Sequence, residues 1–241
     1  MDIEKYIVDL GDISDLGQLK SYFIDQLPLF GASYASGYPL HFGDEAEPWS
    51  PYVSNFSSEI RKLYEHRGSR HSPFMEATFV KGGPVQYSQV KDRLHWDEQQ
   101  ANFISNLSEC NVNDAVGSPV SPKPGVLVFF VMMFPDVRPA MSWSELRRIH
   151  VFFSEFFVRY WELTRQFRPQ ISSRERQILM GIMRGKSKTE ISEQLGLSVH
   201  TVDTYTRRCF EKLEAKNKTE AAIKAFGLGL AYVDSAINDL M

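Results

Sequence analysis

The stretch "KSKTEISEQLGLSVHTVDTYTRRCFEKLEAKNKTEA" occupies residues 186–221. Its punctuation decides how the C-terminal part folds. Ser187-x-x-Glu190 lies inside it, Asn217-x-x-Glu220 near its end, and Ser172-x-x-Glu175 a little upstream. In such a pair the capping oxygen accepts from an orphan amide, and the Glu three residues on accepts from the cap's own amide. Ser198 serves as a simple cap. These four start signals predict helices over 173–184, 188–195, 199–214 and 218–228, with Gly185, Gly196 and Asn217 at the ends where helices stop.

The second and third of these helices are separated by "GLS", and a short glycine-containing turn between two helices marks a helix-turn-helix. Ile191 and Leu195 point inward from the first. Val199, Val202, Thr206, Cys209 and Leu213 form one stripe along the second, in steps of three and four. The opposite face offers His200, Thr201, Asp203, Thr204, Arg207, Arg208 and Glu211, with Lys186 and Lys188 at the head of the preceding helix. A helix of this kind fits the major groove, where its N-terminal half faces base edges while hydroxyls and basic groups bind phosphate. On geometry alone the other reading is a four-helix packing unit with a solvated charged face.

Charge supports the first reading. Residues 171–241 carry 11 Lys and Arg against 9 Asp and Glu, whereas residues 1–170 carry 16 against 21. A basic module on an acidic body suits a regulator that touches nucleic acid.

Upstream, mixed α and β signals predict an α+β domain, an α/β/α sandwich, over residues 1–167, joined near "RQFRPQISS" (165–173) to a helical domain over 172–229. Helical spacing covers 15–27, 57–66 and 97–110, and 32–42 alternates as a strand. "VLVFFVMMF" (126–134) is a strand buried on both faces. In the long helix 142–167, Leu146, Ile149, Phe153, Phe156, Tyr160, Leu163 and Phe167 make a heptad-like seam, widened by Phe152, Phe157 and Trp161. That face either packs on the chain's own sheet or lends part of its width to a dimer.

The residues from Ile171 to Leu230 resemble the DNA-binding domain of the LuxR family. The pattern stands here as Arg174-Glu175, Leu179, Gly185-Lys186-Ser187, Glu190-Ile191, Leu195, Ser198, Thr201-Val202, Lys212-Leu213 and Asn217-Lys218-Thr219-Glu220-Ala221. The resemblance implies that the 199–214 helix reads double-stranded DNA and that the last helix pairs two domains on a two-fold site. Asp203 departs from it, standing where the family usually has Lys or Arg. An acid there either accepts from a cytosine amino group or repels phosphate.

The N-terminal part resembles, more loosely, the family's acyl-homoserine-lactone-binding domain, a quorum-sensing module, which implies a homodimer and a small-molecule effector. Pro73 and Tyr87 keep the family's spacing from proline to tryptophan, and "NDAVGSPV" (113–120) resembles the start of one of its strands. The polar ligand set departs from the pattern. Ser72 stands where an aspartate would accept the ligand's amide hydrogen, Tyr64 replaces the family tyrosine only with a one-residue slip, and Tyr87 replaces a tryptophan. A site built around a buried amide discriminates steeply when a partner is missing. An ordinary acyl-homoserine lactone is therefore not the expected effector. Tyr64, Ser72, Tyr87, Trp96 and Phe103 are the candidate ligand residues, with plain core packing as the alternative for the aromatic ones.

Other functions find little support. The six histidines (His41, His66, His71, His95, His150, His200) lack metal-ligand spacing, and "GSPVSPKPG" (117–125) reads as a proline-rich turn, not a phosphate loop or nucleophile elbow. No metal, cofactor or enzymatic activity is expected. No apolar run approaches the ~20 residues of a membrane span. Acids stand where a signal peptide carries basic residues, and Cys110 and Cys209 suggest no disulfide framework, so a cytoplasmic location is expected. The reading is a DNA-binding transcriptional activator or repressor controlled by a small effector. The alternative is a ligand-independent or protein-regulated factor whose N-terminal domain only dimerises.

Overall fold

A computed structural model describes residues 1–39, 51–65, 75, 77–78, 81–91, 97–123, 126–165 and 169–231. The chain divides into two compact units, Met1–Pro122 with Leu127–Leu163, and Thr164–Met241 with Lys123–Val126.

The first unit opens with α1 (Ile3–Asp12), capped by Asp2, and α2 (Leu16–Asp25), capped by Asp15. The first of these is an element that the sequence reading did not include. Its signal is a cap followed by Tyr6 and Leu10, four apart and both buried. The expected helix over 15–27 stops at Asp25 and gives way to a 3-10 turn, Leu27–Phe30, because Pro28 offers no amide to continue the α ladder. Next come β1 (Tyr34–Pro39), β2 (Val53–Ser54), α3 (Ser58–Glu65), β3 (Val85–Gln86), α4 (Glu98–Glu109), β4 (Asp114–Lys123), β5 (Val126–Phe134) and α5 (Trp143–Leu163). The five strands form one sheet in the order β2-β1-β5-β4-β3. β1 runs antiparallel to both β2 and β5, with Gly37 opposite Val53 on one side and Phe130 on the other.

The segment read as a proline-rich turn is a correction: Gly117 to Lys123 lies within β4. β3 reaches only from Val116 to Gly117 along β4. Beyond that point one edge of β4 has no strand beside it among the described residues, so a proline there can lack a donor without breaking a ladder.

β5 is buried on both faces, which explains its unbroken apolar run. Phe130 faces Phe23, Phe153 and Phe156, with Phe130 and Phe153 stacked at 4.9 Å. Gly37 is required beside it, since a Cβ there would stand 2.2 Å from the Phe130 ring. Phe129, Val131 and Met133 face the other way, into a cluster with Tyr38, Phe56, Ile60, Tyr64, Phe103 and Leu107. The sheet is thus sandwiched between α1, α2 and α5 on one side and α3 and α4 on the other. Of the seam on α5, Ile149, Phe152, Phe153, Phe156 and Phe157 are buried within this unit. The buried part of the heptad-like face is used within this unit, Leu146, Tyr160 and Leu163 are half-buried, and Phe167 lies outside the described residues.

The second unit is α6 (Ser173–Met183), α7 (Lys188–Leu195), α8 (Val199–Leu213) and α9 (Lys218–Gly227). Both expected capping boxes at Ser172 and Ser187 form in full. The third is half formed. Asn217 accepts from the Glu220 amide, but the Glu220 carboxylate accepts from the Lys216 amide at 2.8 Å instead of from the cap's own. Nor does Asn217 end α8. That end is Glu214, in the left-handed region at φ 52°, followed by the Ala215 amide donating to the Phe210 carbonyl.

Candidate nucleic-acid interface and effector core

Gly196 closes α7 in the left-handed conformation (φ 63°), and Ser198 opens α8 by accepting from the Thr201 amide at 3.1 Å. This tight turn sets α8 across α7. Val202 packs with Ile178, Ile182 and Ile191, with Leu195 and Tyr205 beside them. Further along, Cys209 and Leu213 pack with Leu179, Ala221 and Ala225. Burial pushes the Cys209 thiol up to about 12, so it stays a neutral packing group. Val199, expected on the inner stripe, is 45% exposed. It stands in the first turn of α8, ahead of the point where that helix meets α6.

A charged pin fixes α8 to α6. Glu175 is buried at 3% exposure, and its carboxylate accepts from Lys212 Nζ and from the Ser172 amide at 2.8 and 2.7 Å. Lys212 also donates to the Gln170 carbonyl at 2.9 Å. Burial alone would raise this carboxyl. The hydrogen bonds from Lys212 and Ser172 outweigh it and hold the group below the usual carboxylate range.

The opposite face of α8 is open. His200, Asp203, Arg207, Arg208 and Glu211 are exposed, and Thr201 and Thr204 half-buried. All eight candidate DNA residues lie in this one unit. Thr201 Oγ1 lies 2.8 Å from Ser198 Oγ, and Thr204 donates to the His200 carbonyl. The Arg208 guanidinium lies over the Tyr205 ring, and Arg207 approaches Glu211 at 3.8 Å. Lys186 donates to Gln194 Oε1 at 2.7 Å. Asp203 is paired with Lys188 across the two helices, an ion pair that sequence reasoning missed. That pair holds the Asp203 carboxyl below its usual range, with the His200 and Arg207 charges adding to the effect.

In the first unit, Tyr64, Tyr87 and Phe103 come together on the α3–α4 side of the sheet, whereas Ser72 and Trp96 lie outside the described residues. The Tyr64 ring meets Phe103 edge-on at 5.4 Å and Phe56 at 5.0 Å. Tyr38 completes the group, 6.0 Å from Tyr64 and 5.6 Å from Phe129. It is 4% exposed, and its hydroxyl has no hydrogen-bond partner among the described residues. Burial, and then the neighbouring Tyr64, raise its ionisation well above the ordinary tyrosine value, so it is a neutral O–H. A tyrosine inside an apolar alternation was the available signal.

Beyond this cluster, the buried Asp114 accepts from the Ser88, Ala115 and Arg138 amides. Gln86 joins it by donating to Asp114 and the Pro139 carbonyl while accepting from the Met141 amide. Every partner is satisfied, and the network anchors the loop ahead of α5. His150 Nδ1 lies 2.8 Å from Ser118 Oγ. No group of metal-ligating side chains occurs among the described residues.

Two helices joined at a left-handed glycine, the second with one buried stripe and one polar, hydroxyl- and arginine-bearing face, define a helix-turn-helix DNA-binding protein. The comparisons agree. The family described as bacterial regulatory proteins, luxR family, matches residues 169–225. A putative HTH-type transcriptional regulator of Sinorhizobium fredii, y4qH, is 36% identical over 94% of this chain and 74% of its own length. The transcriptional repressor ThaA of Burkholderia thailandensis is 43% identical over 27% of each chain. Among solved structures, SdiA of Escherichia coli superposes with a TM-score of 0.70 over 95% of this chain and 97% of its own, at 17% identity, a likeness of fold. The chain belongs to the luxR family and is a DNA-binding transcriptional regulator, not an enzyme. No described helix is long and apolar enough to cross a membrane.

Proposed function

We propose that the chain is an effector-controlled regulator in which residues 1–167 bind a small molecule and dimerise while residues 172–229 read a two-fold DNA site. The DNA contacts fall to Lys186, Lys188, His200, Thr201, Asp203, Thr204, Arg207 and Arg208. The last helix supplies the pairing surface of the DNA-binding domain: Ile223 and Phe226 on α9 are 66% and 44% exposed, where a soluble monomer would place polar groups.

One observation carries the effector. The Tyr38 hydroxyl is buried without a partner among the described residues, which costs about 1–3 kcal/mol unless something fills the gap. A ligand with a polar atom at that point and apolar or aromatic surface around it would satisfy both the hydroxyl and the surrounding rings. Ser72 in place of the amide-accepting aspartate argues that this ligand is not an ordinary acyl-homoserine lactone. A fold of this kind accommodates other chemistry: SdiA has been solved in complex with octanoyl-rac-glycerol.

A true ligand stabilises the folded protein by mass action. Organic extract of the native host should raise the melting temperature of the wild-type chain saturably, and that of Tyr38→Phe less. Simple acyl-homoserine lactones at micromolar concentration should leave both unchanged. If no extract stabilises the wild type, the ligand-independent reading replaces this one. Stabilisation by an acyl-homoserine lactone would refute the assignment of ligand class.

A further inference from the structure

The DNA face of α8 carries a pair that partly neutralises it. Lys188 is the first residue of α7 and Asp203 the fifth of α8. Their side chains close an ion pair across the angle between the two helices while remaining 42% and 57% exposed. Each is therefore within reach of a docked duplex. One turn further along, Arg207 and Glu211 approach at 3.8 Å within α8 itself.

We propose that Asp203 stands in for phosphate in the free protein, occupying Lys188 so that DNA must displace it, and that this exchange makes Asp203 a specificity-determining residue. The inference rests on the placement of this face against DNA. Phosphate neutralisation supplies nearly all sequence-independent affinity. A lysine already held by a carboxylate adds little to it, because its bond to phosphate replaces one broken within the protein. An exposed pair is worth only a few tenths to about 1 kcal/mol, so it can open on DNA. Once open, the carboxylate faces the duplex. Against most sequences it is an unpaired anion near phosphates. Against a cytosine it accepts from the exocyclic amino group in the major groove. Exchange is thus favourable where that base stands and unfavourable elsewhere. The two roles open to this acid on sequence grounds, base reader and phosphate repeller, become two states of one device.

The test uses the full chain and two probes, random duplex DNA at low salt and duplexes selected by the wild type from a random pool. Both residues are exposed, and variants should retain the wild-type melting temperature. Asp203→Ala should bind random DNA several-fold tighter and steepen the slope of log affinity against log salt by about one phosphate contact. It should lose preference at one cytosine in the selected sites, reducing the ratio of selected to random affinity by about tenfold. In a Lys188→Ala background, Asp203→Ala should no longer steepen the salt slope. An equal steepening of the slope in that background would overturn the exchange, leaving direct repulsion of phosphate by Asp203. Unchanged affinity ratio and slope for Asp203→Ala, with Arg207→Ala and Arg208→Ala still weakening binding, would overturn the inference and leave the DNA face standing. If the two arginine variants also bind both probes like the wild type, the placement of this face on DNA fails, and the inference with it.

Discussion

At the scale of single residues, Tyr38 and Glu214 each sit in a position that ordinary stability would not select. Tyr38 buries a neutral hydroxyl with no partner among the described residues, at 4% exposure. In the effector-free protein, Tyr38→Phe should therefore raise the free energy of unfolding by about 1–3 kcal/mol, measured by denaturant titration. A core tyrosine with a structural bond would lose stability instead. A gain in stability together with a loss of the response to host extract would separate ligand recognition from packing. Glu214 holds φ 52° at the end of α8, a conformation costing a residue with a Cβ about 1–2 kcal/mol. Glu214→Gly should relieve part of this and stabilise the second unit by roughly 0.5–1 kcal/mol, since glycine gives some back in chain entropy. A lower melting temperature would show that the Glu214 side chain matters more than its backbone. A third residue, Arg207, belongs to the proposed DNA face, on the exposed side of α8. Arg207→Ala should lose about 1–3 kcal/mol on a selected site if it reads a guanine, and an equal loss on random DNA would show that it binds phosphate only.

At the scale of elements, the second unit is held by one charged pin as well as by its apolar clusters. Glu175 ties the start of α6 to Lys212 near the end of α8. Its carboxyl is held below the ordinary range in the folded state. Such a group binds fewer protons when folded than when unfolded. Its contribution is therefore complete above the unfolded value, about 4.3, and disappears as pH falls through the folded value. Glu175→Gln should cost about 1–3 kcal/mol at neutral pH and should flatten the decline of stability between about pH 5 and pH 3. Far-ultraviolet circular dichroism of the full chain against pH checks both. A variant with the wild-type acid profile would show that other carboxylates govern the acid limb. In the first unit the corresponding element is β5, whose two faces serve two separate cores. That division takes up the phenylalanines of α5 in the chain's own core, which is why its heptad spacing does not by itself signal a partner helix.

At the scale of the whole molecule, the proposed two-fold DNA recognition needs two copies. Ile223 and Phe226 give α9 an apolar outer surface. Ile223→Asp should leave binding to a single half-site intact and weaken binding to paired half-sites by about tenfold or more, since linked modules gain their affinity from simultaneous engagement. Mobility-shift titrations on one-half and two-half duplexes measure the difference. An undiminished preference for paired half-sites would move the pairing surface to residues 1–167. If the first unit also dimerises, the loss is smaller than the full avidity but still falls on the paired site alone.

The features that the sequence by itself determined are those decided within a turn or two of chain. A cap and its glutamate lie three residues apart, so the starts of α6, α7, α8 and α9 were legible in Ser172, Ser187, Ser198 and Asn217. Burial on both faces shows as an unbroken apolar run, so β5 was legible too. The polar face of α8 followed from the same local spacing, and the resemblance to the luxR family was carried by motif residues within one contiguous stretch, Ile171 to Leu230. What only the tertiary structure decided are the partners brought together over longer separations. Lys188 and Asp203 are 15 residues apart, Gln86 and Asp114 28, and Glu175 and Lys212 37. Nothing in either residue of such a pair names the other, because the bond exists only once packing has set the distance. β4 shows the same dependence in backbone form: its prolines read as a turn until the shortness of β3 left an edge where they could stand. Tyr38 is the converse case. Its alternation placed it in a strand, but that its hydroxyl would meet no hydrogen-bond partner among the described residues depended on α3, α4 and β5 closing around it. A buried group's need for a partner is a property of the enclosure, and the enclosure forms only when distant segments pack.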